Sequence, residues 1–195
     1  MLREQWLLTL IEKLRPVFED MGATLPTKIR ASCSFPSKMA LANKNKRIGE
    51  AWSDKNSEDQ TFEVFISPLL KDPIEVGGVV VHELVHVAVG LECGHRGAFK
   101  QLAKKVGLEG KMTATTVGDE LKSKLQVLTD EIGEYPHARL VASNRPKTQT
   151  TRMRLIRCPD CGYQARTTVK WLEVGIPTCP CGTEMEAVDS AAEKE

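Results

Sequence analysis

Three of the chain's four histidines, His82, His86 and His95, fall within fourteen residues. The first two bracket a carboxylate in the run His82-Glu83-Leu84-Val85-His86. Positions i and i+4 share one face of a helix, so a helix here lets both imidazoles reach a single metal ion. Glu83 follows His82 directly and projects about 100° around the axis. That places it beside the ion, where a general base acting on water belongs. A catalytic zinc takes three protein ligands and keeps one position open. The third ligand is expected past Gly90, where the chain can turn back. His95, in Gly94-His95-Arg96-Gly97, is the first choice, with Glu92 and Cys93 as alternatives. Glu92 lies six residues past His86 but lacks the glycine spacing of the metzincin motif. A Cys93 thiolate would give the ion more charge and make it a weaker Lewis acid. Tyr135 and His137, in Tyr135-Pro136-His137, are candidate substrate-side donors; the alternative is an ordinary loop.

A second ligand set lies downstream. Cys158-Pro159-Asp160-Cys161 and Cys179-Pro180-Cys181 are separated by seventeen residues, and a glycine follows each pair. Two thiolate knuckles at this spacing predict a zinc ribbon, with the metal supplying the folding energy of a segment too small for its own core. A redox pair is the rival reading. The second knuckle is one residue shorter than the usual form, which predicts strain or a displaced Cys181. Two zinc ions per chain are expected, one catalytic and one structural.

The elements that must position these residues can be read from periodicity. Residues 2–21 form an amphipathic stripe of Leu2, Trp6, Leu10, Leu14, Val17, Phe18 and Met21, with Pro16 expected to kink or restart the helix. Residues 28–35, 48–52 and 62–66 read as strands, and three short strands so close in sequence predict an antiparallel sheet. Asp72 can cap a helix that opens with Pro73, carries the histidine pair and stops at Gly90. Further helices are expected over about 97–106, with Phe99 on its buried face, and over about 118–132.

Charge changes along the chain. Apolar residues make up 41% and charged residues 27%, with a net charge of +1, so total charge excludes no partner class. Residues 139–172, however, hold eight arginines or lysines and one acid, a net of +7. Arg152, Arg154, Arg157, Arg166 and Lys170, with Tyr163 and Trp171 among them, suit phosphate contact and base stacking; the alternative is a solvated basic linker. The expected organisation is a catalytic domain over 1–143, a linker over 144–151, a ribbon over 152–188 and a polar tail over 189–195. The charged N-terminus does not read as a signal peptide, and no stretch approaches the roughly 20 apolar residues of a membrane helix. Cysteines at metal spacing, with Cys33 and Cys93 left over as thiols, predict a reducing, cytoplasmic or nucleoid-associated setting.

The run HELVHVAVG followed by GHRGAFKQLAKKVGL resembles the SprT-like metallopeptidases, whose eukaryotic relative is Spartan, a protease of DNA–protein crosslinks. The resemblance covers about residues 60–140, with Gly94, His95 and Phe99 filling the family's Gly-His-x-x-x-Phe positions, and extends to a C-terminal zinc ribbon. It implies zinc-dependent peptide hydrolysis, often on or near DNA. The expected fold is α+β: a small antiparallel sheet with helices around it, among them the HExxH helix, plus a small C-terminal β zinc ribbon. The expected activity is a zinc endopeptidase acting on a protein substrate, associated with DNA and not with a membrane. The alternative is a DNA-binding or transcription-associated regulator whose peptidase site is idle. An idle site has no need of Glu83, which favours the enzyme.

Overall fold

A computed structural model describes residues 1–144 and 153–188. Arg152, the expected linker from residue 145 onward and the expected tail at 189–195 lie outside the described residues. The chain divides into two compact units, Met1–Arg145 and Pro146–Glu195. The architecture is α+β, with five α-helices and three small sheets among the described residues. No helix among them is long and apolar enough to cross a membrane.

The first unit begins with α1 (Arg3–Asp20), whose apolar stripe is its reason to fold. Trp6, Leu7, Leu10, Ile11, Leu14 and Phe18 are buried, and each contributes about 1.5–3 kcal/mol relative to an exposed side chain. Of the kink or restart expected at Pro16, the restart does not occur. The helix runs unbroken through the proline, because Leu14 and Phe18 on either side are both locked in the core. Leu2 lies before the helix and is exposed. The indole N–H of Trp6 donates to the carbonyl of Gly133 at 2.8 Å, and Lys13 pairs with Glu131 at 2.6 Å.

Strands β1 (Ile29–Cys33), β2 (Gly49–Trp52) and β3 (Phe62–Ile66) form a sheet in the order β1-β3-β2. The expected all-antiparallel sheet is corrected here. β3 pairs antiparallel with β2, from Gly49 opposite Ile66 to Trp52 opposite Glu63, but parallel with β1, from Ile29 opposite Phe62 to Cys33 opposite Ile66. Two reversals of direction return β3 to the heading of β1, and β3 then inserts between its predecessors. Sequence neighbours β1 and β2 are therefore not sheet neighbours, which is the assumption that misled the expectation.

Helix α2 (Pro73–Val89) packs against the sheet and is followed by α3 (Ala98–Lys105). Next comes a hairpin that the sequence reading missed, β4 (Leu108–Lys111) with β5 (Ala114–Val117), and then α4 (Asp119–Ile132). In the second unit, β6 (Arg154–Arg157) lies between β7 (Gln164–Thr167) and the short β8 (Glu186–Ala187), all antiparallel. A six-residue helix, α5 (Val169–Val174), adds to the expected β ribbon.

Candidate metal centre

Helix α2 starts where the sequence places it. Asp72 Oδ1 accepts the backbone N–H of Glu75 at 2.8 Å, and Pro73 occupies the first turn. Val76, Val80, Val81, Leu84, Val85 and Val87 are buried, so the helix is fixed on most sides and its histidine face has one orientation. The helix ends at Gly90, whose φ of +91° needs no Cβ and whose N–H caps the carbonyl of His86 at 3.0 Å. A turn of 3-10 helix over Leu91–Cys93 then carries the chain back to His95.

The outcome is convergence of three imidazoles. His95 Nε2 lies 3.2 Å from His82 Nε2 and 3.2 Å from His86 Nε2. Two nitrogens bound tetrahedrally to one zinc at about 2.05 Å would stand about 3.3 Å apart. His95, and neither Glu92 nor Cys93, completes the group: its ligand atoms and those of His82 and His86 all lie within 4.8 Å of one another. Cys93 instead donates its thiol to the carbonyl of Val89 at 3.4 Å. The ring of Phe99 underlies the cluster, with centroids 5.1 Å from His82, 4.3 Å from His86 and 4.9 Å from His95. Burial lowers the pKa of all three histidines, His82 to about 4 and His86 to about 3. At neutral pH the imidazoles are uncharged, the form that ligates a metal.

His82 also has an outer partner. Its Nδ1 lies 2.9 Å from Thr115 Oγ1 on β5, and a proton on Nδ1 leaves the Nε2 lone pair for the cluster. The missed hairpin thus supplies a hydrogen-bonding partner for His82. The β-branched run Thr115-Thr116-Val117 was the signal that could have found it.

Glu83 is buried at 6% exposure. Burial, reinforced by the charge of Glu50, pushes its pKa up to about 8, against Arg47 and the backbone N–H of Ala51, which favour the ionised form. Strand β2 presses on it: a Cβ at Gly49 would collide with Glu83 Oε1 and with Val79 Cγ1. Gly49→Ala is therefore expected to lower stability by about 1–3 kcal/mol in urea unfolding, as overpacked sites do, and to displace the carboxylate.

Glu50, on the same strand, is a second buried carboxylate that the sequence reading did not single out. It accepts the backbone N–H of Ser37 at 2.7 Å and the Ser37 hydroxyl at 2.8 Å, and it pairs with Arg47. Burial would raise its pKa, but Ser37, Trp52 and Arg47 together outweigh that and hold it low.

Tyr135 and His137 sit elsewhere in the unit. Tyr135 is buried against Trp6, with ring centroids 4.9 Å apart, and burial followed by the neighbouring Cys33 thiol pushes its hydroxyl pKa up. Arg3 Nη1 donates to His137 Nδ1 at 3.3 Å, so Nε2 carries the proton given to the carbonyl of Pro68 at 2.9 Å. No hydrogen bond or ring contact among the described residues joins either side chain to the imidazole cluster.

In the second unit the four cysteines form their own group. Cys158 Sγ lies 3.5 Å from Cys181 Sγ, Cys161 Sγ lies 3.4 Å from Cys179 Sγ, and all four sulfurs are within 4.8 Å of one another. The shorter Cys-Pro-Cys knuckle does not displace Cys181. Gly182, at φ +96°, donates its N–H to the carbonyl of Cys179 at 2.8 Å and closes that knuckle tightly. Thr183 Oγ1 donates to Asp160 at 2.6 Å and ties the two knuckles together. Within the cluster the Cys181 thiol pKa is lowered to about 6, first by Thr183, while, against the backbone of Cys181, burial and the neighbouring thiols raise that of Cys179 to about 12. Apart from the buried pair Cys158 and Cys179, only Ile156 and Met185 are buried at the centre of this unit among the described residues.

The basic residues are exposed but do not form one surface. Leu155 pairs across the ladder with Arg166, so Arg157 and Arg166 share one face of β6–β7, while Arg154 points to the other. Trp171 and Tyr163 are 59% and 51% exposed, and Lys170 Nζ lies 5.5 Å from the Trp171 ring centroid. Comparison with protein-family models, with curated proteins and with solved structures gives no match.

Proposed function

We propose that the chain is a zinc-dependent endopeptidase of the SprT-like kind that hydrolyses peptide bonds in proteins. The observation that carries the proposal is the convergence of the Nε2 atoms of His82, His86 and His95, with the buried carboxylate Glu83 next to His82 on α2. The three-nitrogen donor set and its spacing suit zinc, with His82, His86 and His95 as ligands. Bound there, zinc would supply a Lewis acid and bring the pKa of a water to about 7. Thr115 orients His82, and Phe99 shields the rings from below. Glu83 accepts a proton from the attacking water as the new C–O bond forms, and returns it to the leaving amine as the C–N bond breaks. The four cysteines would hold a second, structural zinc.

Chelation is expected to abolish cleavage of casein, and one equivalent of zinc restored to the histidine site should recover it. Cleavage that persists in a chain shown by metal analysis to be zinc-free would overturn the proposal.

Association with nucleic acid is the second part. Exposed Trp171 and Tyr163 offer stacking faces, and Arg157 and Arg166 offer phosphate contacts on one sheet face. Weak, sequence-independent binding of single-stranded DNA is expected, falling steeply as salt rises. Trp171→Ala should weaken it at every salt concentration, by about 1–3 kcal/mol if a base stacks there. Anisotropy with a labelled oligonucleotide reads this directly, and an unchanged affinity removes Trp171 from the interface.

A further inference from the structure

We propose that the outer face of the β1-β3-β2 sheet, together with the basic loop pinned to it, is a docking surface for single-stranded nucleic acid. This surface belongs to the first unit, is separate from the ribbon, and would exist whether or not the chain cleaves peptide bonds.

The face follows from strand alternation. A Cβ at Gly49 would meet Val79 and Glu83, so Gly49 faces α2. Successive side chains of a strand point to opposite faces, so Glu50 and Trp52 face away from that helix. Phe65 and Glu63 stand opposite them on β3, and Ser32 and Arg30 continue the same two rows on β1. Trp52 is 38% exposed, Arg30 is exposed, and Ser32, Glu63 and Phe65 are half-buried. The face is therefore open to solvent and presents an indole.

The connection from β1 to β2 adds charge to it. Residues 21–49 hold six lysines or arginines and no acid. Glu50 is buried and pins this loop twice, accepting the N–H and hydroxyl of Ser37 and pairing with Arg47. The backbone N–H of Arg47 also donates to the carbonyl of Met39 at 3.2 Å, which closes the loop on itself. Lys38 and Lys46 adjoin the two pinned residues, and Lys44 lies between them in sequence. All three are exposed, and none is ion-paired among the described residues. Phe35, two residues before Ser37, is also exposed.

The chemistry favours nucleic acid over an acidic peptide. A carboxylate is matched best by a guanidinium fork, and both arginines of the segment are engaged by the chain's own acids. Arg30 pairs with Asp59 and Glu63, and Arg47 pairs with Glu50. The unpaired cations are lysines, point charges that suit phosphates along a backbone. An exposed indole beside them adds nothing for a carboxylate, but any unpaired base can stack on it. A duplex keeps its bases inside, so the single strand is the better ligand. Helix α2, which carries His82 and His86, packs on the opposite face. A strand held on the outer face therefore leaves the imidazole cluster free.

The test uses the zinc-loaded full chain carrying Trp171→Phe. Of the three tryptophans, Trp6 is buried, so Trp52 is then the one exposed indole. Titration with oligothymidylate should quench its emission, and a duplex of the same length should quench it less. Adding Lys38→Gln, Lys44→Gln and Lys46→Gln together should lower the slope of log affinity against log salt by about two units, as loss of three single-strand phosphate contacts does. Trp52→Ala should instead weaken binding about tenfold at every salt concentration and leave that slope in place. Melting temperatures within a few degrees of the parent show that the variants fold, and the quenching measurement needs neither of them. Absence of quenching overturns the inference. So does a slope unchanged by the triple lysine substitution, which would leave binding to the ribbon alone. Polyglutamate of equal charge that binds as tightly as the oligonucleotide, through the same lysines, would make the surface one for acidic protein and overturn it as well.

Discussion

Glu83→Gln is expected to lower the rate of peptide cleavage by about 10²–10⁴-fold, the range a positioned general base contributes, and to leave zinc bound at the histidines. Glutamine matches glutamate in shape but cannot accept the proton. The side chain is not one of the three clustered ligands, so its loss leaves their nitrogens in place. His95→Ala should do the reverse to the metal. It removes the one ligand from outside α2, leaving two nitrogens of the same helix, and zinc content at that site should collapse. Activity measured alongside metal analysis separates the two effects. Full activity in Glu83→Gln would end the proposed mechanism, and retained zinc in His95→Ala would mean that another group can take its place.

Replacing Cys158 with serine is expected to unfold the second unit and to reduce bound zinc from two ions per chain to one. The described part of this unit buries only Ile156 and Met185 besides two cysteines, too little to offset the chain entropy of ordering some 36 residues at about 1–2 kcal/mol each. A metal held by the four cysteines would supply the difference, as it does in small zinc domains generally. Cys158 is the more informative position because it is buried at the centre of the cluster. Metal analysis with circular dichroism reads both consequences. A ribbon that keeps its fold and a chain that keeps two ions would remove the metal from its stability.

Much of this arrangement was legible in the sequence because it is local. Helix α2 announces itself with Asp72 and Pro73, ends at Gly90, and carries His82 and His86 at a spacing that only a helix makes useful. His95 was reachable by the same logic, since a glycine turn has few places to deliver a ligand. The knuckles are local too. What was not legible depends on contacts between distant segments. The parallel pairing of β1 with β3 joins strands 33 residues apart. Thr115 meets His82 across the same interval, and Glu50 becomes significant only once Ser37 and Arg47 fold back onto it. Tyr135 shows the converse limit. Its type and loop position suggested chemistry, yet an aromatic ring beside Trp6 gains more from the core than from the surface.

The contacts of Trp6 and Lys13 with Gly133 and Glu131 bear on how this chain could be rewired. They bind the first helix of the larger unit to the end of its last one, spanning 127 positions in the case of Trp6 and Gly133. The first and last helices of that unit are thus neighbours in space, and the order in which its segments are synthesised is separable from the shape they reach. A short bridge could join the end of α4 to the start of α1, and new termini could open in the exposed stretch at 55–60 between β2 and β3. Such a circular permutant would keep His82, His86 and His95 on one uninterrupted segment.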